Sequence, residues 1–282
     1  HSGASVVGIE RRGVPIINPG PDEELQSGDV VLLLGSISVN YVLGLRLGRA
    51  PSKRLLSLGI SLNLSLLLYF KYARFLADQA ISLAASLGVT LAVPKPAAWA
   101  PLGISFFTFH AISTLVDVHR RDAKPMASLV DFACYLAFFP QLIAGPILRF
   151  GEIAPAYAQR RHSWAQAASG LALFSLGLAK KVLIADTLAP AADLAFGARE
   201  LDAPAAWFGL VAYGLQLYYD FGGYSDMATG LARLFGFSFP RNFNAPYLAE
   251  SITDFWRRWH ISLGTFLRDY LYIPLGGNRR SP

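Results

Sequence analysis

The sequence predicts an all-α, polytopic helical membrane protein preceded by a short β-prone segment. Three observations carry this reading. Hydrophobic residues make up 53% of the 282 and charged residues only 16%, whereas a soluble domain holds about 25% charged residues. Too few charges remain to cover a water-facing surface. Mean hydropathy is +0.38, and apolar windows follow one another along most of the chain. A soluble enzyme, a disordered tail and a disulfide scaffold are thereby disfavoured. With one cysteine, Cys134, no internal disulfide and no cysteine-based metal site is expected. The net charge of +6 does not point to nucleic acid, because Lys and Arg on cytoplasmic loops give a membrane protein the same sign.

Residues 1–35 stand apart. Arg11 and Arg12 face Glu10, Asp22, Glu23, Glu24 and Asp29, a net of −3 that leaves +9 for the remainder. Ala4 to Ile9 is β-prone, Pro19-Gly20-Pro21 and Ser27-Gly28-Asp29 are turn sequences, and Val30 to Leu34 is a continuous apolar run. This is strand–turn–strand grammar. If it holds, 4–9 and 30–34 are extended. The alternative recruits Val30–Leu34 into the first membrane helix, with helix expected from about Ser36 onward. The chain starts at His1 without a signal-peptide pattern and reads as a fragment at both ends.

The body, 36–282, follows as apolar windows: Val30–Leu47, Leu55–Phe70, Gly103–Val118, Leu129–Leu148, Ala165–Ile184, Ala205–Tyr219 and Phe221–Phe237. Several fall short of the ~20 residues of a perpendicular span. Gly and Pro interrupt them, which is tolerated where protein or a water-filled cavity covers the freed backbone groups. A packed bundle with broken or re-entrant pieces is expected. Phe75–Leu91 carries Asp78 and reads as a separate interfacial or partly buried helix. Arg46, Arg49, Lys53 and Arg54, and then Arg120, Arg121 and Lys124, mark two loops for the cytoplasmic face.

Three stretches are too polar for inert membrane structure. In Phe138–Arg149, Pro140 and Pro146 break the helix, and Gln141 and Arg149 need partners; a plain proline kink is the blander reading. In Tyr218–Met227, Asp220 and Asp226 lie among aromatics, and a carboxylate at membrane depth is costly enough to suggest function; a structural ion pair is equally open. The glycines there permit either a break or close packing. In Ser251–Tyr270, Ser251 and Asp254 form a capping-box-like start. If that stretch is one helix, Trp256, His260 and Gly264 share a face, and Asp254 pairs with Arg258. An imidazole titrates near neutrality and can take a proton from a hydroxyl, although a lone histidine is more often structural. Lys180-Lys181 reads as a snorkelling pair that could meet an anionic ligand. His1, His110, His119 and His162 show no metal spacing, and no metal site is expected.

Several motifs in order resemble the membrane-bound O-acyltransferases, and most closely the bacterial alginate O-acetyltransferase type. They include Asn40–Gly44, Tyr69–Tyr72, Pro101–Phe109, Phe139–Arg149, Leu178–Val182, Asp220–Met227, Asn242–Tyr247, Asp254–His260 and Arg268–Asn278. The resemblance implies a multi-pass body in the bacterial inner membrane enclosing a tunnel. It implies acyl transfer from a thioester donor, acetyl-CoA or an equivalent, with no bound cofactor. The acceptor would be a hydroxyl of an exopolysaccharide such as alginate, reached with a periplasmic acetyl-transfer partner protein. It places His260 at the catalytic position, with Asp220, Asn244, Asp254, Trp256 and Gln141 as site-shaping or substrate-binding candidates. A second family histidine, the one usually held to be the catalytic base, is expected beyond Pro282, so this chain alone is expected to be incomplete and to transfer little or no acetyl. Residues 1–35 resemble part of a TrkA-C module of potassium-transport regulators. Acyl transfer to peptidoglycan or teichoic acid, and a transport-related membrane protein, are the alternatives.

Overall fold

The computed structural model describes residues 8–11, 14–17, 27–92, 101, 103–142, 145–160 and 162–280. The N-terminal segment contributes one antiparallel pair, β1 (Gly8–Arg11) and β2 (Val14–Ile17), with Gly8 opposite Ile17. Most of the proposed extended 4–9 stretch and the Pro19-Gly20-Pro21 turn lie outside the described residues. From Ser27 to Tyr272 the described residues contain no strand.

α1 (Ser27–Arg49) starts earlier than the Ser36 expected, so Val30–Leu34 and the Ser27-Gly28-Asp29 turn sequence are helical. The apolar run is long enough to continue the helix, and helix is the form that satisfies backbone groups within a single segment at membrane depth. α2 (Lys53–Ser86) also corrects the sequence reading: Leu55–Phe70 and Phe75–Leu91 belong to one unbroken 34-residue helix through residue 86. At 1.5 Å per residue it is about 51 Å long, well beyond a hydrocarbon core of ~30 Å. Ser52 caps its start, accepting from Leu55 N at 3.4 Å. Asn40 of α1 and Asn63 of α2 exchange amide hydrogen bonds of 3.1 and 2.7 Å, so each buried amide answers the other.

α3 (Ile104–Arg120) is the central helix, buried along almost its whole length. It packs against α1, α2, α4 (Leu129–Leu136) and α6 (Phe150–Gln159). The main core gathers Leu47, Leu115, Phe132, Tyr135, Phe150 and Phe237. The Leu129–Leu148 window is broken, as its prolines require: α4, a single turn α5 (Phe139–Leu142), and non-helical backbone from Gly145 to Arg149.

That non-helical stretch and the first turn of α6 run through the core, so their N–H groups need partners. Side chains supply them. Leu148 N donates to His110 Nε2 (3.2 Å), Phe150 N to Ser113 Oγ (3.2 Å), and Gly151 N to Asp117 Oδ2 (2.8 Å). His110, Ser113 and Asp117 sit at i, i+3 and i+7 on α3, one face of the helix. Accepting at Nε2 places the His110 proton on Nδ1. Ile147 N reaches further, to Ser262 Oγ at 2.9 Å.

α7 (Trp164–Ala179), a π-helical turn (Lys180–Ala185) and α8 (Asp186–Gly197) form one 34-residue apolar rod. α9 (Ala203–Leu234) runs unbroken through the Asp220–Met227 motif. The glycines there serve close packing. A Cβ at Gly177 would lie 2.5 Å from Gly223 O, and one at Gly170 2.7 Å from Gly230 O. Each helix thus carries glycines seven residues apart, paired in antiparallel order, the small-residue contact that lets membrane helices approach. Among the described residues three rods, Val31–Arg49, Lys53–Ser86 and Trp164–Gly197, are long and apolar enough to cross a membrane. The two basic loops lie together at one end, where Tyr41 Oη donates to Ala127 O (2.6 Å) and Gly48 abuts Pro125.

His110→Leu keeps the packing volume but strands the Leu148 N–H. It is expected to cost about 1–3 kcal/mol, read as a lowered midpoint in thermal unfolding of the detergent-solubilised protein. Thr108→Val, which removes a buried hydroxyl without a partner, is expected to leave that midpoint unchanged or raise it.

Candidate active site

The last part of the chain builds a kink around His260. α10 (Ile252–Arg258) begins at Ser251, whose Oγ accepts from Asp254 N at 3.1 Å. α11 (Ile261–Leu267) follows after two residues. Trp259 is extended, and His260 sits in the left-handed region at φ 45°, ψ 55°. The continuous helix expected over this stretch is therefore interrupted, and the shared face of Trp256, His260 and Gly264 does not exist. Trp256 is 61% exposed.

The reason is competition for hydrogen bonds. In a continuous helix Ser262 N would donate to Arg258 O and Ile261 N to Arg257 O. Instead Asn244 N takes Arg258 O (2.9 Å), Ile261 N donates to Asn242 O (2.9 Å), and Ser262 N donates to Asn242 Oδ1 (3.1 Å). The loop after α9 thus lies alongside 258–262 and brackets His260 on both sides. Ser262 Oγ also donates to Asn242 Oδ1 (2.9 Å) while accepting from Ile147 N. The proline-broken stretch, the Asn242–Tyr247 motif and the histidine motif meet at this node.

The imidazole is held among aromatic rings. Phe221 of α9 meets it edge-on at 4.7 Å, and Phe243 lies roughly parallel at 6.4 Å. Its Nε2 is buried and has no hydrogen-bond partner. The two seven-residue helices flanking it are too short to cross a bilayer. Burial lowers the His260 pKa to about 4, so the ring is neutral at pH 7. Desolvation is the cause; of the neighbouring arginines, Arg257 is exposed and Arg258 is neutralised by Asp254 at 2.8 Å.

The other candidates scatter. Asp220 and Asp226 are ion-paired. Lys181 Nζ lies 2.8 Å from Asp220 and 2.7 Å from Asp186, and Lys180 Nζ 2.6 Å from Asp226. The π-helical turn directs both lysines at α9, so they are partnered within the protein. Asp220 adjoins Phe221, which touches the His260 ring. Asn244 is exposed and accepts from Arg241 Nη1 at 3.0 Å; its backbone, not its side chain, meets the kink. Gln141 is fully buried, donates to Tyr135 O, and has an unpartnered Oε1. Sequence reasoning passed over Asn242 and Ser262. Asn242 stands inside a quoted motif, but nothing short of the tertiary pairing separates it from Asn244.

α11 leads from His260 to the basic end, seven residues or ~10 Å away. There Asp117 accepts from Tyr270 Oη (2.7 Å), Arg149 pairs with Asp269 (2.5 Å) and with Glu152, and Arg120 donates to Asp269 O (3.1 Å). These groups line a cleft of about 440 Å³. Among the described residues no group of three or more His, Cys, Asp or Glu is placed to hold a metal.

The model of the MBOAT, membrane-bound O-acyltransferase family, matches residues 54–281. A probable alginate O-acetylase of Azotobacter vinelandii is 48% identical over 257 residues, covering 89% of this chain and 51% of the relative. The peptidoglycan O-acetyltransferase of Helicobacter pylori is 40% identical over 280 residues, 88% of this chain and 52% of its own length. The teichoic acid D-alanyltransferase of Bacillus subtilis is 27% identical over 186 residues, 61% and 45% respectively. The chain spans about half the length of these relatives. None of these matches supports the TrkA-C resemblance of residues 1–35.

Two outcomes are expected. Lys181→Ala strands two carboxylates, Asp186 and Asp220, whereas Asp220→Asn leaves Lys181 one partner. Asp186 is about half exposed and solvent screens it, while Asp220 and Lys181 are only partly exposed, so thermal unfolding should rank Lys181→Ala as the more damaging change by a modest margin. For His260, the unfolded imidazole binds a proton near pH 6.5 and the folded one only near 4. The unfolded state therefore holds more protons between these values, and stability falls as pH drops from 6.5 towards 4. His260→Phe is expected to flatten that part of the stability–pH curve.

Proposed function

The chain belongs to the membrane-bound O-acyltransferase family, and on that premise we propose that it serves as an O-acetyltransferase of the bacterial inner membrane. The donor in this reading is an acetyl thioester such as acetyl-CoA. The acceptor is a hydroxyl of an exopolysaccharide such as alginate, reached through a periplasmic partner protein. The observation that carries the proposal is His260: a neutral imidazole, caged by Phe221 and Phe243, whose buried Nε2 bonds to nothing in the protein. A buried polar atom left unpaired costs free energy unless a ligand takes it up.

In the proposed step the acceptor hydroxyl donates to His260 Nε2. Its oxygen forms a bond to the thioester carbonyl carbon as the imidazole takes the proton. The C–S bond then breaks, and the departing thiolate receives that proton. A general base of this kind typically contributes about 10²–10⁴-fold. A resting pKa of about 4 makes the free imidazole a weak base, so entry of a polar ligand into the apolar cage is part of what would raise it. The basic end, with Arg120 and Arg149 beside the cleft, supports a cytoplasmic orientation for that end. Asp220 and Asp254, both ion-paired, shape the site through α9 and α10 in this reading.

The resemblance to alginate O-acetylases favours an exopolysaccharide acceptor, and the likeness to a peptidoglycan O-acetyltransferase supplies the second reading. Both keep the same chemistry. The family match over most of the chain favours acyl transfer over a transport role. The test is expression of the full-length protein in a strain lacking its own acetylase. Acetyl ester on the polysaccharide is then compared with acetyl ester on peptidoglycan. His260→Ala is expected to lower ester formation about 10²-fold or more with the protein still in the membrane. Wild-type ester levels from His260→Ala would leave His260 a packing residue.

A further inference from the structure

Asn242 holds the residues around His260, and we propose that it is a positioning residue for that histidine. The inference rests on the acyl-transfer reading only for its effect on turnover; the geometry stands by itself. A left-handed conformation is disfavoured for a non-glycine residue and persists where the surroundings impose it. His260 is in that conformation, and the imposing contacts converge on Asn242. Its backbone oxygen takes Ile261 N, and its Oδ1 takes both Ser262 N and Ser262 Oγ. Two residues on, Asn244 N occupies Arg258 O, the carbonyl that would otherwise draw Ser262 back into a helix. Between them Phe243 packs on Trp259 at 5.0 Å and on the His260 ring.

The amide orientation is settled by chemistry. A backbone N–H can only donate, so the Asn242 atom facing Ser262 N is the oxygen. The side chain is 3% exposed, and its Nδ2 has no partner. Beside the backbone bond from Ile261 N to Asn242 O, which any residue at this position keeps, the oxygen alone does the holding within the side chain. Replacing it with a methyl group releases the first turn of α11, whose helical alternative, Ser262 N to Arg258 O, is one turn away. Ser262 also accepts from Ile147 N, so the released turn would loosen the non-helical segment beside the ring as well.

The test compares Asn242→Ala with Asn242→Asp in the full-length protein in membranes. Asp keeps the oxygen that accepts from Ser262 N and removes the idle amide donors. Two quantities are read: acetyl transfer, and the rate at which diethyl pyrocarbonate modifies His260, mapped by peptide mass spectrometry. Asn242→Ala is expected to lower transfer about 10²-fold, the scale of a 1 Å misplacement, and to speed His260 modification. Asn242→Asp is expected to restore both towards wild type. An unchanged modification rate in Asn242→Ala overturns the proposal, as does Asn242→Asp behaving like Asn242→Ala. Should Asn242→Ala fail to accumulate, Ser262→Ala carries the same test, with faster His260 modification expected and an unchanged rate overturning it. A wild-type protein without acetyl transfer sinks the acyltransferase reading instead, and the modification rates still decide the role of Asn242.

Discussion

From Gly145 to Arg149 the chain crosses the core as non-helical backbone, the first turn of α6 follows with its own unpaired N–H groups, and the protein is arranged around meeting that demand. Buried N–H groups without partners cost about 1–3 kcal/mol each, and in apolar surroundings water is not there to help. The donors of Leu148, Phe150 and Gly151 are met by His110, Ser113 and Asp117 along one face of α3, and that of Ile147 by Ser262 of α11. This explains why the central helix carries buried polar residues at all. It also explains why α11 sits where it does. The first turn of α11 is tied to the broken segment on one side and to Asn242 on the other, which leaves His260 at the corner.

A second constraint acts through α9. Its Asp220 and Asp226 are neutralised by Lys181 and Lys180 across the glycine-lined contact with α7. Charges at such depth are tolerated when paired. The π-helical turn at Lys180–Ala185 is the local distortion that brings two consecutive lysines to one neighbour, a common use of such turns. Close backbone approach and ion pairing support each other: glycines bring the helices near enough for the lysines to reach, and the pairs fix the rotation of α9. Phe221 follows Asp220 directly, so this rotation sets the wall against which the His260 ring rests.

The chemistry of the histidine follows from these two constraints. Aromatic walls exclude water and keep the imidazole neutral, and the kink keeps it from joining a helix surface. Trp256 and Gly264, which a regular helix would have aligned with it, have no part in the cage. The ~10 Å of α11 separates this apolar corner from a polar, basic end where Arg149, Asp269, Tyr270 and Asp117 interlock. An acyl donor approaching from that end would have one short helix to pass.

Composition and the order of motifs determined the helical membrane class, the family, the break at Pro140 and Pro146, the Asp254–Arg258 pair and the Ser251 cap. Each of these rests on local chemistry or on total polarity, which a sequence displays directly. Where helices end was less legible. Phe75 joined the preceding helix, Val30–Leu34 joined α1, and Gly222-Gly223 proved a packing surface and not a break, because apolar length and glycine content are compatible with both. Tertiary structure alone decided that Asp220 and Asp226 are ion-paired, that Asn242 and not Asn244 grips the histidine turn by its side chain, and that His260 lies at a kink. The physical reason is common to all three. Each depends on which distant donor or acceptor wins a hydrogen bond or a charge, such as Asn244 N taking Arg258 O from Ser262. That competition is settled only when segments far apart in the chain are brought together.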